Sequence, residues 1–532
     1  MHYNATGGMN KRKEGIIMKI ETSRRGFLRG LGSVSAFAIG GNCFAVRSLA
    51  GAQKIKFAAV GLWNKGLVDW TSVMKTGKAE LVAVCDCDRN ALTLAAGSKL
   101  ARQAGVNLSK VPFYSDYRKL LDDAGRLGVE AMTVSTTDHT HAPIAIRAMK
   151  QGISCYVQKP LVRTLWELDY FRRTAKEHGV ITQMGNQGSS LSGFRRGVEI
   201  LQSGLIGEVR TVHVWTNRPV WPQGRKAGAA TQGAADAIPA DLNWDAWLAT
   251  ARERPYKGQY GKGVVLPRSR FKGVYHTFNW RGFFDFGCGA YGDMACHTMN
   301  LPFRGLELGA VTGAERLFIE DADSLGIAFP QKTTVRMSYA ARQSQTRPGV
   351  TLPPVDLYWY DGAQRPSADL MPQVVAAVGH VPQSGCLIIG SKGVLCSLTD
   401  CNEQSLIAMK GEKKVVPVEQ HPACAGVAST IPRRGGETGG TESGPGFKSI
   451  SADGHYDEFL DAIRGEGPVF ASTHSRCYSD VEYSIPQMEG ILVGVAAQRI
   501  GGKLAWNSSR QSFDSADANA LVRPYVRKGW EF

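Results

Sequence analysis

The sequence predicts an α/β protein of two domains, the first built on a parallel sheet and the second carrying half-exposed strands. Three observations support this. From Ile55 to about Met184, short apolar runs alternate with amphipathic segments, as strands do when helices cover both faces of their sheet. The first run, Ile55–Val60, ends in Gly61, and Gly66 follows just before an amphipathic stretch. From about 310 to 400, apolar and polar residues alternate one by one, the period of a strand with one face in solvent. At 532 residues the chain exceeds one ordinary core, so two domains with insertions are expected.

Taken in order, the strand-like runs are Ile55–Val60, Leu81–Val84, Glu130–Ser135, Ser154–Val157 and Val180–Met184. Helix-like segments lie between them near 65–75, 89–104, 116–124, 141–151 and 164–178. Gly61 to Gly66 reads as a phosphate-binding turn running into a helix N-terminus, with Trp63 where the middle glycine of G-x-G-x-x-G would stand and Asn64 beside it. A buried strand with an ordinary turn is the alternative. After the second run comes Cys85-Asp86-Cys87-Asp88, where a carboxylate suits the ribose hydroxyls and repels a 2′-phosphate, favouring NAD over NADP. A helix N-cap is the other reading of either aspartate. Thr136, Asp138 and His141 cluster past the Glu130–Ser135 run, Gln158-Lys159-Pro160 follows the next, and Asn186 follows the last. Strand carboxyl ends are where ligands bind in this architecture. The cofactor-binding candidates are therefore Gly61, Trp63, Asn64, Gly66, Asp86, Thr136, Asp138, His141, Lys159 and Asn186.

The formal charge is +16, but residues 1–52 hold eight Lys or Arg against two Glu, which leaves ten of those charges on the remainder. That remainder has no long basic run interleaved with aromatics, so a nucleic-acid role is not supported. Eleven cysteines occur without a CxxC, and no metal-ligand spacing is found, so no metal site is expected. No apolar run long enough for a membrane span appears beyond the N-terminus. Thr22-Ser23-Arg24-Arg25-Gly26-Phe27-Leu28, followed by a Gly/Ala-rich stretch to Ala52, resembles a twin-arginine export signal. Periplasmic or envelope localisation through the twin-arginine machinery is the expectation. That route carries folded proteins, so a nucleotide would have to travel inside.

The combined motifs resemble the glucose–fructose oxidoreductase/inositol dehydrogenase (Gfo/Idh/MocA) family. Its Thr-Pro-Asp/Asn-x-x-His element is matched by Thr136-Thr137-Asp138-His139-Thr140-His141, with Thr137 for proline. Its Glu-Lys-Pro is matched by Gln158-Lys159-Pro160, which lacks the carboxylate beside the lysine. The resemblance implies an N-terminal Rossmann domain and a C-terminal α+β domain with a large, mostly antiparallel open sheet. The domains then run 1–52 (signal), 53–190 (Rossmann), 191–505 (substrate domain with insertions 217–272 and 402–450) and 506–532 (a C-terminal strap). Helical patterns return at His455–Ile463 and Tyr483–Ile500, and the glycines of 402–450 read as a mobile loop or lid.

In the second domain, Trp215, Trp221, Trp244 and Trp247 suit either sugar faces or loop anchoring. Asp293 and His297 stand four apart, hence on one face of a helix. A capping aspartate and a buried histidine would give the same spacing. The family carries an Asp-x-x-x-His facing the nicotinamide, so the resemblance makes these substrate-binding and proton-transfer residues. The catalytic candidates are His297 as base, Lys159 as polariser and proton relay, and Asp293 as orienter of hydroxyls. The expected activity is hydride transfer between a sugar or glycoside carbon and tightly held NAD, in a homo-oligomer. A redox-neutral NAD-dependent glycosidase is one alternative, and a non-catalytic carbohydrate- or nucleotide-binding protein is another.

Overall fold

Six parallel strands make the first sheet of the computed structural model, in the order β3-β2-β1-β4-β5-β6. They are β1 Ile55–Val60, β2 Ala79–Cys85, β3 Phe113–Tyr114, β4 Ala131–Val134, β5 Ser154–Val157 and β6 Thr182–Met184. The helices between them are α1 Lys65–Lys75, α2 Arg89–Ala96, α3 Lys99–Gln103, α4 Tyr117–Leu127, α5 Asp138–Met149 and α6 Leu165–His178. Strand order reverses between β1 and β4, so a crevice opens above their carboxyl ends. β1 is covered on both faces, which is why every residue but Lys56 is apolar. The structure describes residues 53–260, 272–434, 437–442, 448–471 and 474–532. Residues 1–52, read from the sequence as an export signal, lie outside them, as do parts of both insertions.

Two local differences from the sequence pattern have simple causes. β3 is only two residues long, too short to show a period. The stretch 89–104 is two helices rather than one, because the Ser98 hydroxyl accepts the Ala101 N–H at 3.1 Å and caps a new helix.

Ten strands form the second sheet. From one edge they are Val416–Pro417, Leu406–Met409, Gly393–Ser397, Gly385–Gly390, Val209–Trp215, Val355–Tyr360, Lys332–Tyr339, Val311–Glu320, Lys503–Asn507 and Ser512–Phe513. Every pairing is antiparallel except Val355–Tyr360 with Val209–Trp215. Helix Val481–Ile500 packs against both this sheet and α6. It is therefore buried nearly all round and shows no single apolar stripe.

Domain boundaries in space differ from those along the chain. Helix Asp453–Arg464 packs on α1, and its Tyr456, Phe459, Leu460 and Ile463 share a core with Ile55, Phe57 and Trp70. The first domain thus borrows a helix from far beyond residue 190. The segment 402–450 is not wholly a loop, since it adds two strands to the sheet edge. Its stretch before residue 435 is tied down by Glu199, whose carboxylate accepts the N–H groups of Thr430 (2.9 Å) and Ile431 (2.8 Å) and pairs with Arg433 (2.7 Å). Gly435, Gly436, Gly444 and Gly446, among the glycines on which the loop expectation rests, lie outside the described residues. The C-terminal strap does cross back, with Trp530 against Tyr117 of α4 and Phe532 against Trp166 of α6. Among the described residues, no helix is long and apolar enough to cross a membrane, no cluster of metal-ligating side chains occurs, and all ten cysteines are free.

Candidate active site

The β1–α1 turn is fixed by backbone crowding. Gly61 has φ +89°, and a Cβ there would lie 2.3 Å from the Ser135 carbonyl oxygen; one on Gly66 would lie 2.1 Å from the Gly61 carbonyl oxygen. Both glycines are thus required for α1 to start this close to β1 and β4. No side chain caps α1, since Asn64 makes no such bond, and its first turn carries no acidic residue. The helix N-terminus is left open to an anion, with Lys65 at the rim.

Asp86 closes the turn from the side. Its Oδ2 accepts the Leu62 N–H at 2.9 Å and its Oδ1 the Asp88 N–H at 3.0 Å. Each oxygen keeps a second lone pair for a ribose hydroxyl. Asp88 is the helix cap, accepting from Asn90 N–H at 2.9 Å, and it also pairs with His276 Nε2 at 2.8 Å. The cap reading thus falls on Asp88, and Asp86 is left as the candidate for the ribose.

A cavity of about 1290 Å³ runs from this turn across to the second domain. It exceeds the range of roughly 300–1,000 Å³ usual for one small ligand and suits a dinucleotide plus substrate. Lys159, just past β5, and Asp293 and His297, on helix Gly289–Thr298, line its middle. Lys159 Nζ lies 2.8 Å from Asp293 Oδ1 and 3.0 Å from the Asp293 carbonyl oxygen. Arg281 Nε approaches the same Oδ1 at 3.3 Å, its guanidinium resting between the rings of Phe278 and Trp280. Burial by itself raises the Asp293 carboxyl, but the Lys159 and Arg281 charges outweigh it and hold the group well below the usual carboxylate range. Burial, reinforced by the Lys159 charge, pushes the His297 imidazole down to about 3, so it is neutral at ordinary pH. Its Nδ1 has no hydrogen-bond partner among the described residues.

Behind this cluster lies a buried carboxylate that sequence reasoning missed. Asp69 of α1 is fully buried and is met by Lys65 Nζ (2.7 Å), Ser135 Oγ (2.7 Å), Tyr456 Oη (2.6 Å) and Gln158 Nε2 (2.8 Å). Gln158 Oε1 accepts the Lys159 N–H at 3.3 Å. The departure from Glu-Lys-Pro thus has a local cause: a glutamate here would set a second carboxylate against Asp69.

Of the cofactor candidates, Gly61, Trp63, Asn64, Asp86, Thr136, Asp138 and Lys159 line the cavity. Gly66, His141 and Asn186 do not. Gly66 serves the packing just described. His141 Nδ1 lies 2.8 Å from the Pro160 carbonyl oxygen and Nε2 3.3 Å from that of Thr136, so the ring braces the Lys159 loop against β4. Asn186 is fully buried, and its side-chain amide has no hydrogen-bond partner among the described residues. Among the tryptophans, Trp221 and Trp247 reach the cavity. Trp215 is fully buried against helix Pro372–Val378, and Trp244 stacks on Trp247 at 4.5 Å as a loop anchor. Arg281 and His276 went unnoticed because their partners lie 12 and 188 residues away with no periodicity to link them.

Two predictions follow from the buried carboxyls. Gln158→Glu should cost roughly 3 kcal/mol in denaturant unfolding. Adding Asp69→Asn should recover most of it by restoring one amide opposite one carboxylate, and an uncoupled double-mutant cycle would reject the pairing. Asp138 accepts the Cys288 N–H at 3.1 Å, and burial, aided by the Asp293 charge against Arg281 and Lys159, pushes its carboxyl up to about 7. An unfolded aspartate titrates near ~3.9, so the folded state holds the extra proton between those values and loses stability as pH rises through them. Asp138→Asn should therefore be more stable than wild type at pH 8 but not at pH 4.

Residues 55–186 match the profile described as "Oxidoreductase family, NAD-binding Rossmann fold" (Gfo/Idh/MocA). Among curated relatives, 2,7-anhydro-N-acetylneuraminate hydratase of Mediterraneibacter gnavus is 32% identical over 88 residues, 16% of this chain and 24% of that protein. Glycosyl hydrolase family 109 protein 2 of Akkermansia muciniphila is 24% identical over 225 residues, 36% of this chain and 46% of that one. The matches thus span less than half of either relative. An inositol dehydrogenase homolog from Azotobacter vinelandii, solved with NAD+, superposes with a TM-score of 0.53 at 18% identity, covering 86% of this chain and 98% of that one. The WlbA dehydrogenase from Bordetella pertussis, solved with NADH and UDP-GlcNAcA, gives 0.52 at 14% identity, covering 86% and 99%. These two likenesses concern the fold. Residues 55–186, whose glycine turn and Asp86 suit a dinucleotide, thus carry the NAD-binding Rossmann domain of the Gfo/Idh/MocA oxidoreductase family.

Proposed function

We propose that this protein is an exported enzyme that transfers hydride between a hydroxyl-bearing carbon of a sugar or glycoside and a retained NAD. The observation that carries this reading is the Lys159–Asp293–Arg281 cluster with His297, set in one cavity with the nucleotide turn. Bound NAD supplies the hydride acceptor. The chain's own residues supply the rest.

His297, neutral above about pH 3, offers a lone pair to the substrate hydroxyl proton. Lys159 directs its ammonium to the same oxygen and stabilises negative charge developing there. Asp293 keeps Lys159 in place and accepts hydrogen bonds from neighbouring hydroxyls. Trp221, Phe278 and Trp280 line the cavity around Arg281 and give apolar surface to sugar C–H faces.

The twin-arginine-like Thr22–Leu28 stretch supports export, and export argues for a nucleotide that is restored in each cycle. The partners are then a small sugar or glycoside, the export machinery and other copies of the chain. Similarity to a family 109 glycosyl hydrolase favours a second reading, a redox-neutral glycosidase. In that cycle a ring hydroxyl is oxidised, the neighbouring acidified proton and the aglycone leave, water adds, and the carbonyl is reduced again.

Denatured protein should release NAD, identified by mass. A preparation that is nucleotide-free and does not bind NAD would sink the proposal. Turnover of a glycoside without an added acceptor selects the redox-neutral cycle, whereas NADH formed mole for mole with an oxidised sugar selects the plain dehydrogenase. His297→Ala should lower kcat by about 10²–10⁴ with NAD content unchanged. Wild-type behaviour of both that variant and Lys159→Ala would favour a non-catalytic binding protein.

A further inference from the structure

Between strand Val209–Trp215 and helix Gly289–Thr298, the described part from 241 to 260 and from 272 to 286 does not stay with the sheet that carries it. It reaches over to the first domain and touches it on two sides of the cleft. On one side is the turn after β2. The Asn243 N–H donates to the Cys87 carbonyl at 2.8 Å, the Arg89 N–H donates to the Asp241 carbonyl at 2.9 Å, and Asp88 and Leu242 pair as an antiparallel bridge. His276 adds its ion pair to Asp88. On the other side is the N-terminus of α5. His139 Nε2 lies 3.2 Å from the carbonyl oxygens of both Trp247 and Leu248, the Thr250 hydroxyl donates to the His139 carbonyl at 3.3 Å, and the His139 N–H donates to Phe286 at 3.2 Å. Between these anchors, Ala246, Trp247 and His276 line the same cavity as Asp86 and Tyr117. A dinucleotide lying across the strand ends puts its adenosine at the end of β2, which is under this segment.

The segment is itself fastened from the C-terminus. Arg527 is 9% exposed. Its Nε donates to the Ala249 carbonyl at 3.0 Å, its Nη2 to the Asp245 carbonyl at 2.7 Å, and its Nη1 pairs with Asp245 Oδ1 at 2.7 Å. Its own N–H donates to the Thr250 carbonyl at 3.0 Å. Three residues on, the Trp530 ring lies 5.8 Å from that of Tyr117, with the Arg118 guanidinium 3.5 Å over its face. The end of the chain therefore ties helix Trp244–Leu248 to α4, across the adenosine end of the cleft.

We propose that helix Trp244–Leu248, buckled to the β2 turn by Asp88–His276 and latched by Arg527, is a roof that traps the adenosine end of NAD. The inference rests on the NAD reading. Nucleotide exchange then requires the roof to lift, and lifting it breaks charge-assisted bonds remote from the reacting carbon. Arg527 does not line the cavity, so it acts as a positioning residue through the helix it holds.

The test loads the full-length protein with radiolabelled NAD and chases with excess unlabelled NAD, following the label retained. Arg527→Ala should release label about tenfold faster or more, since the charge-assisted bonds that otherwise have to break are gone. Arg527→Lys should restore part of the retention. Asp245→Ala, at a side chain 63% exposed, removes only the ion pair and should accelerate release by a smaller factor, and it decides the matter if Arg527→Ala fails to fold. Release at the wild-type rate from the folded variants overturns the roof. A wild-type protein that binds NAD but loses it as fast as Arg527→Ala also overturns the roof while leaving the NAD reading intact. A wild-type protein that binds no NAD overturns that reading first.

Discussion

The arrangement of the site depends on one carboxylate held by two cations. Asp293 sits on a helix of the second domain, while Lys159 comes from the loop after β5 in the first. Their contact therefore fixes how the substrate half of the cavity faces the nucleotide half. Arg281 supplies the second positive charge, so the cluster is positive on balance in a place largely withdrawn from water. Burying such a group costs solvation, and it persists because the hydrogen bonds are well made on every side. That surplus charge has a chemical use, since removing a proton from a hydroxyl builds negative charge on oxygen. Fixed cations already aimed there stabilise it without reorganising.

A second carboxylate, Asp69, holds the cluster from behind. It takes hydrogen from a lysine, a serine, a tyrosine and a glutamine, so its burial leaves little unmet demand. The four partners come from α1, the end of β4, the loop before Lys159 and a helix at Asp453–Arg464. The first domain can thus finish its own site only after the chain has built most of the second. His141 adds a brace between β4 and Pro160 on the other side of the lysine. Lys159 is consequently positioned in part by residues that do not line the cavity, Asp69, Tyr456 and His141.

What could be read from the sequence was what repeats or recurs at short spacing. The β1 run with its two glycines, the alternation through Met184 and the four-residue step from Asp293 to His297 are all local, and each appears where it was expected. Asp86 and Asp88 were separable only by geometry, because either can cap a helix and either can face a ribose. His141 and Asn186 looked like ligands because they follow strand ends, yet a polar side chain at a strand end can equally turn inward. Arg281, the second partner of Asp293, and His276, the partner of Asp88, were invisible because they sit in the irregular stretch that continues the 217–272 insertion, where no period says which residues meet. The tryptophans of that insertion divided between wall and anchor for the same reason.

Trp63 shows how much of a motif is packing and how much is ligand. Gly61 cannot bear a Cβ because of the Ser135 carbonyl, nor Gly66 because of the Gly61 carbonyl, and the chain keeps both glycines. The middle glycine of the fingerprint answers only to the pyrophosphate, which its backbone must approach. At that position this protein carries an indole, half-buried and part of the cavity wall. The closer backbone approach that a glycine would allow there is exchanged for a broad ring in the cavity wall at the N-terminus of α1. With the adenosine end roofed by the insertion, a wall here completes the enclosure of the nucleotide rather than weakening its site. The incomplete fingerprint is then consistent with a cofactor that is held through turnover, where close backbone contact and rapid exchange matter less than confinement.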